Sequence, residues 1–196
     1  MTSDPTAIDI FVISVFKRNL SLNLKSIKQI IKKEIKQKES ECLSNMGGEQ
    51  FHLSPDLFLD LKNNIIENSY SYLGHLGYSQ KELYLNAVWV NINGYKDYNL
   101  IHNHGNSLLS GVFYVEVPEH SGKITFINPS QRIDLYDNHI EPGYTPYNSA
   151  KWGFIPKENE LFLFPSWLNH YVEPNLNKKQ KRISIAFNLN YKINNN

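Results

Sequence analysis

A single cysteine, Cys42, in a chain of 196 residues excludes an internal disulfide framework, and cysteine usage this sparse fits a reducing compartment. No basic motif flanks Cys42, so it reads as a half-buried structural thiol rather than a nucleophile. The first residues carry Asp4 and Asp9 and lack a basic segment followed by an apolar core, which argues against a signal peptide. No apolar run approaches the ~20 residues that a membrane-spanning helix needs. An excess of one charge is also missing. Twenty Lys and Arg against 19 Asp and Glu leave a net charge of +1, which provides no field for gathering nucleic acid or an anionic membrane. These absences predict a cytoplasmic protein with neither nucleic acid nor membrane among its partners. There is no internal repeat, and the asparagine-rich tail at 194–196 is expected to fray. With 41% hydrophobic residues, the chain can bury one sizeable core, and the expectation is one domain over 1–196.

The hydrophobic pattern changes character near residue 81. Before it, residues 8–16 are apolar and β-branched, as in a first strand. Residues 22–41 have helical periodicity, with Leu24, Ile27, Ile30, Ile31 and Ile35 as the apolar stripe. The lysines between those positions are diluted by Glu34, Glu39 and Glu41, so this is a solvated helix face. Residues 44–54, containing Gly47-Gly48, read as a loop. Ser54-Pro55-Asp56 then starts a second helix, a capping residue followed by proline at the first helical position, running to about Gly74.

From residue 82 onward strands are expected at 83–93, 108–117, 123–128, 151–155, 160–164, 171–173 and 182–191, punctuated by Pro118, Gly122, Pro129, Pro156 and Pro174. Many short strands after two helices predict an α+β, mainly β fold. Its core over 81–193 would be a double-stranded β-helix, or jelly roll, buttressed by N-terminal helices within 1–80. Residues 131–150, with Pro142, Gly143 and Pro146, make a long irregular stretch. Such a loop inside a compact domain is expected to serve as a substrate mouth and to be mobile without ligand.

Chemistry concentrates in two places. His102-Asn103-His104 puts two imidazoles on one side of an extended segment, and His170 supplies a third from far along the chain. Imidazole is the commonest transition-metal ligand, and converging histidines point to a metal. Twelve positions after His170, Arg182-Ile183-Ser184 opens a strand whose residues alternate. Ile183, Ile185, Phe187 and Leu189 form a core face, and Arg182, Ser184, Ala186 and Asn188 form the inward row. A guanidinium and a hydroxyl on one face match a carboxylate, and a buried arginine without an anion is costly. The plainer alternative is a strand-end arginine paired with a surface carboxylate. His52, His75, His120 and His139 lack metal spacing and read as surface or loop residues, with His139 close to where a substrate could sit.

This pattern resembles the 2-oxoglutarate- and iron(II)-dependent oxygenases, which usually carry His-x-Asp/Glu, a distal His and an Arg about one strand later. The likeness is closer to a branch found in marine bacteria and phages. It runs through Ser44-Asn45-Met46-Gly47-Gly48, Trp89-Val90-Asn91, His102-Asn103-His104 and Ser110-Gly111-Val112-Phe113-Tyr114-Val115. It continues through Phe164-Pro165-Ser166-Trp167-Leu168-Asn169-His170 and Arg182-Ile183-Ser184-Ile185-Ala186-Phe187-Asn188. The resemblance implies that His102, His104 and His170 hold Fe(II), and that Arg182 and Ser184 bind the distal carboxylate of 2-oxoglutarate. The Tyr114 hydroxyl would also reach the cosubstrate, unless Tyr114 is a core tyrosine bonded to backbone. With O2 as co-reactant, hydroxylation of a small molecule or an amino-acid side chain is the implied outcome. Trp89, Asn91 and Trp167 match the branch but read equally well as packing and turn residues.

The sequence departs from the family rule at His104, where most members place a carboxylate. Three arrangements follow. His104 completes a three-histidine site; or it lies off the metal and leaves a position open; or the register slips, with His104 first and Asn106 in the carboxylate's place. Two other functions fit the same residues: a non-catalytic jelly-roll module for a small ligand, and a cupin metalloenzyme that does not use 2-oxoglutarate.

Overall fold

Alternating side chains on the last strand dictate the architecture, because one row must meet helices and the other must meet a second sheet. The computed structural model describes residues 9–78, 81–130 and 145–192. Its strands, in chain order, are β1 (Phe16–Asn19), β2 (Asn45–Met46), β3 (Glu49–His52), β4 (Leu83–Asn93), β5 (Tyr98–His102), β6 (Leu109–Glu116), β7 (Ile124–Ile127), β8 (Lys151–Phe154), β9 (Glu160–Pro165), β10 (His170–Val172) and β11 (Arg182–Tyr191). Helix α1 spans Leu24–Glu34 and α2 spans Leu59–His75. A six-stranded sheet in the order β1-β9-β6-β11-β4-β3 faces a five-stranded one in the order β2-β5-β10-β7-β8. The described strand pairs are antiparallel, so the jelly roll and its helical buttress are as expected.

Two apolar clusters follow from this layering. Outside the larger sheet, Ile27 and Ile31 of α1 and Leu61, Ile65, Tyr72 and Leu73 of α2 pack on Phe113, Leu161, Leu163, Ile185, Phe187 and Leu189. Between the sheets, Val112, Tyr114, Ile124, Phe126, Phe162, Phe164 and Leu168 form a smaller cluster. Each large apolar side chain buried this way contributes about 1.5–3 kcal/mol. Along β6 the switch is residue by residue: Val112 and Tyr114 face inward, Phe113 faces the helices.

Both helices have identifiable starts. The Asn23 side chain accepts from the Ser26 backbone N–H at 3.2 Å, and Lys32 and Lys33 in the last turn of α1 suit the helix dipole. The Ser54 hydroxyl accepts from Asp56 N–H and opens a 3-10 turn over Pro55–Phe58 that leads into α2.

Four expectations are corrected. The strand expected over 8–16 is confined, among described residues, to Phe16 onward, because the ladder to β9 begins at Phe16 opposite Leu163. Phe11 before it is 94% exposed with a left-handed φ of 56°. Helix α1 ends at Glu34 with a 3-10 turn to Gln37. Beyond it β3 claims the chain: Glu41 N–H donates to Gln50 O at 2.9 Å, and Gln50 N–H donates to the Ser40 hydroxyl. The loop expected at 44–54 contains β2 and β3, one in each sheet, joined at Gly47-Gly48. Gly47 has φ 81°, and a Cβ on Gly48 would lie 2.6 Å from Ile92 O. Cys42 is exposed rather than half-buried, its thiol donating to Gly48 O at 3.1 Å. Strand β5, which carries His102, went unread because it is only five residues long and its apolar Leu100 and Ile101 are adjacent rather than alternating. Of the expected mouth at 131–150, residues 131–144 lie outside the described residues.

Gly111 shows how tightly β6 is held. It sits opposite Phe187, and a Cβ there would lie 2.4 Å from the Phe187 ring and 2.5 Å from Phe162 O. Gly111→Ala should therefore destabilise the protein by about 1–3 kcal/mol. Urea denaturation measures this, and an unchanged midpoint would contradict the packing described.

Candidate metal centre

Strand register brings the histidines together. In the smaller sheet His170 of β10 lies directly opposite His102 of β5, and directly opposite residues of an antiparallel pair share a face. His104 follows two residues beyond, its backbone N–H held by Ser166 O at 2.8 Å. Ring centroids are 4.4 Å apart for His102–His170, 5.0 Å for His102–His104 and 5.3 Å for His104–His170. One ligand nitrogen from each lies within 4.8 Å of the others. Imidazole–metal bonds are about 2.1 Å long, so small side-chain rotations can close the three on one ion.

Two of the rings are anchored alike. His102 Nδ1 lies 2.6 Å from Leu100 O, and His170 Nδ1 lies 2.9 Å from Leu168 O. A carbonyl accepts only, so each Nδ1 carries the proton and each Nε2 presents a lone pair, the usual arrangement behind a metal-ligating histidine. Among the described residues no such hydrogen bond reaches the His104 ring, which packs 5.5 Å from Trp89. Burial lowers the pKa of all three, to about 4 for His104 and about 3 for His170, and neighbouring His102 adds to the shift in both. All three are neutral donors at pH 7.

Across the cavity the larger sheet presents two inward rungs. Gln50, Asn91, Ser184 and Tyr114 stand side by side on β3, β4, β11 and β6. Arg182 sits one rung deeper, opposite Asn93. Arg182 is 1% exposed. Its Nη1 donates to Ser121 O and Glu173 O, while Nη2 is buried with no partner among the described residues. Gly122 makes this cradle possible: its φ is 84°, and a Cβ there would lie 2.5 Å from Glu173 O. Burial lowers the Arg182 pKa, with Tyr114 and Asp97 opposing, and a guanidinium stays charged regardless. Tyr114 is pushed up to about 12 by burial, with Arg182 pulling the other way, so its hydroxyl keeps its proton.

His102, His104, His170, Arg182, Ser184 and Tyr114 therefore line one cavity. The residues fit a divalent metal beside a carboxylate ligand: three neutral nitrogen donors stand near an orphaned guanidinium N–H. Asn106 is not among the lining residues, and His52 contacts Trp89 rather than the donor cluster. His75 ends α2, His120 lies in a separate surface groove, and His139 falls outside the described residues. Trp89, Asn91 and Asn99 also line the cavity, and Asn91 Oδ1 is buried with no partner among the described residues. The alternation of Trp89, Asn91 and Asn93 with Val88, Val90 and Ile92 was the signal for this inward row.

The sequence model of the family described as "Putative 2OG-Fe(II) oxygenase" matches residues 87–188. No curated protein matches the chain. Among solved structures, a Pseudomonas putida prolyl-4-hydroxylase is similar at TM-score 0.63 and 10% identity, covering 92% of this chain and 94% of that one. A viral collagen prolyl hydroxylase from Paramecium Bursaria Chlorella virus-1 is similar at TM-score 0.59 and 14% identity, covering 98% and 99%. HygX from Streptomyces hygroscopicus, with nickel and 2-oxoglutarate bound, is similar at TM-score 0.61 and 9% identity, covering 92% and 84%. Among the described residues no helix is long and apolar enough to cross a membrane.

The buried imidazoles set an acid limit on the metal-free protein. Their folded pKa values lie below the unfolded value near 6.5, so the unfolded chain takes up protons first as pH falls. Stability is full above about pH 6.5 and declines toward pH 4 and 3, by about 1.4 kcal/mol per pH unit for each proton. The metal-free His170→Gln variant should lose stability less steeply than the wild type between pH 6 and 4.5 in urea titrations. Parallel losses would contradict a buried neutral His170.

Proposed function

The chain belongs to the 2OG-Fe(II) oxygenase family, and from that premise we propose that it hydroxylates a small molecule or an amino-acid side chain, using His102, His104 and His170 to hold the metal and Arg182, Ser184 and Tyr114 to hold 2-oxoglutarate. The family's cofactor set is Fe(II), 2-oxoglutarate and O2. When bound, that set supplies the oxidising chemistry: 2-oxoglutarate is decarboxylated to succinate and CO2, and one oxygen atom of O2 reaches the substrate.

The observation that carries this reading is the buried Arg182 Nη2, which has no partner among the described residues, in the cavity that the three histidines share. A desolvated guanidinium N–H is stabilised by an anion there, and a carboxylate offers two acceptors to it. Ser184, on the adjoining rung, adds a hydroxyl donor. Tyr114, kept neutral, donates to the same anion rather than repelling it. His102 and His170 keep fixed tautomers through Leu100 O and Leu168 O, so their metal-facing lone pairs need no proton rearrangement. Val112, Ile124, Phe164 and Val172 add apolar surface to the lining, and an apolar surround strengthens each polar contact.

The fold shared with the two prolyl hydroxylases accommodates a hydroxylation outcome. A non-catalytic module is disfavoured by the paired tautomer anchors, which a passive ligand pocket does not need. A cupin enzyme without 2-oxoglutarate leaves Arg182 Nη2 without an anion to meet.

Mixing Fe(II) and 2-oxoglutarate with the protein under anaerobic conditions should give a weak visible charge-transfer band. His102→Ala and His170→Ala should each abolish it while near-ultraviolet circular dichroism stays native. Arg182→Ala should weaken 2-oxoglutarate about 100-fold, as expected for loss of a buried charge-assisted bond. A band of wild-type midpoint in either histidine variant would remove that residue from the ligand set, and full turnover in Arg182→Ala would favour the cupin reading.

A further inference from the structure

Among its described residues the cavity carries one fixed charge, and that charge is positive. Its lining includes Arg182 and no aspartate or glutamate. The three candidate metal donors are neutral imidazoles. No carboxylate of the described residues forms an ion pair with Arg182, whose described acceptors are the carbonyls of Ser121 and Glu173. Asp97 acts on Arg182 through space but is not in the cavity lining, and its Oδ2 accepts from Gly94 N–H at 2.6 Å. Glu173 turns its carboxylate toward the Lys123 N–H.

A divalent ion entering such a site meets a cost that a carboxylate ligand would remove. Together with Arg182 it places three positive charges at the cavity, where among the described residues no carboxylate is in the lining and only Asp97 acts on Arg182 from outside it. Buried like charges repel, and desolvation adds to the penalty. A dianion entering with the metal cancels two of the three, one carboxylate meeting the metal and the other the guanidinium. Binding free energies are linked, so whatever the dianion adds to metal affinity the metal adds to dianion affinity.

We infer that metal and 2-oxoglutarate load this site as a coupled pair, with the dianion supplying the negative charge that His104 withholds. The inference rests on the ligand assignment proposed above and goes beyond it, since that assignment is equally compatible with a metal that binds alone. The coupling makes the occupancy of the metal respond to the concentration of its cosubstrate.

Equilibrium dialysis with Mn(II), a redox-stable divalent probe, tests this with and without 2-oxoglutarate. In the wild type 2-oxoglutarate should tighten Mn(II) about 100-fold, near the upper end of ordinary coupling between sites. 2-Oxobutyrate, which keeps the keto-acid chelate but lacks the distal carboxylate, should tighten it about tenfold less. His104→Asp restores the missing charge: it should bind Mn(II) alone more tightly than the wild type and show coupling at least tenfold smaller. His104→Asn has nearly the same shape without the charge, and should keep coupling near the wild-type value whatever its absolute affinity. Near-ultraviolet circular dichroism of both variants reports folding. Wild-type Mn(II) affinity unchanged by 2-oxoglutarate, with binding still lost in His102→Ala, would overturn the coupling and leave the ligand assignment standing. Equal coupling in His104→Asp and His104→Asn would also overturn it. No Mn(II) binding with or without 2-oxoglutarate would overturn the ligand assignment and the coupling together.

Discussion

The pairing of β10 with β5 sets His170 opposite His102, and the candidate site depends on that register more than on any single hydrogen bond. Side chains alternate along a strand with a period of two, so a slip of one residue would turn His102 outward and bring Ile101 in. Register is held from both sides. Strand β7 places Phe126 on the other flank of His170, where it packs with Phe164 in the inner cluster. Beyond the strand end, Ser166 O fixes the backbone of His104, and Asn103 bonds Asn169 across the gap at 2.8 Å. The larger sheet does the same for the side that carries Arg182. Strand β11 pairs with β4 and β6 over most of its length, which stacks Arg182 and Ser184 on successive inward positions.

Much of this was legible in the sequence wherever alternation was long and one row was uniformly apolar. Strands β4 and β11 fall at the expected limits, because Val88, Val90 and Ile92, and Ile183, Ile185, Phe187 and Leu189, can face only a core. Short strands were not legible. Strands β2, β3 and β5 hold two, four and five residues, and their pairing partners, not their composition, make them strands. The error over residues 9–15 runs the other way: that segment is apolar enough for a strand but has no ladder to join.

Site residues divide along the same line. Histidines and a strand-end Arg-x-Ser announce themselves by type and spacing. Asn91 and Trp89 do not, since an inward asparagine and a buried tryptophan have many structural uses. Only the rung that Asn91 shares with Ser184 and Tyr114 places it beside the cavity. Nor could spacing show that Arg182 would satisfy Nη1 on two carbonyls and leave Nη2 with no partner among the described residues. That asymmetry makes a buried arginine a candidate anion-binding group rather than a structural oddity.

The central claim is that one cavity holds a metal on three histidines and a dicarboxylate on Arg182. A crystal structure grown anaerobically with Fe(II) and 2-oxoglutarate tests it most directly. The account predicts an iron anomalous peak within bonding distance of Nε2 of His102 and His170 and of a His104 ring nitrogen. It also predicts the distal carboxylate of 2-oxoglutarate within hydrogen-bond distance of Arg182 and Ser184. Iron bound elsewhere, or 2-oxoglutarate ordered away from Arg182, would contradict it.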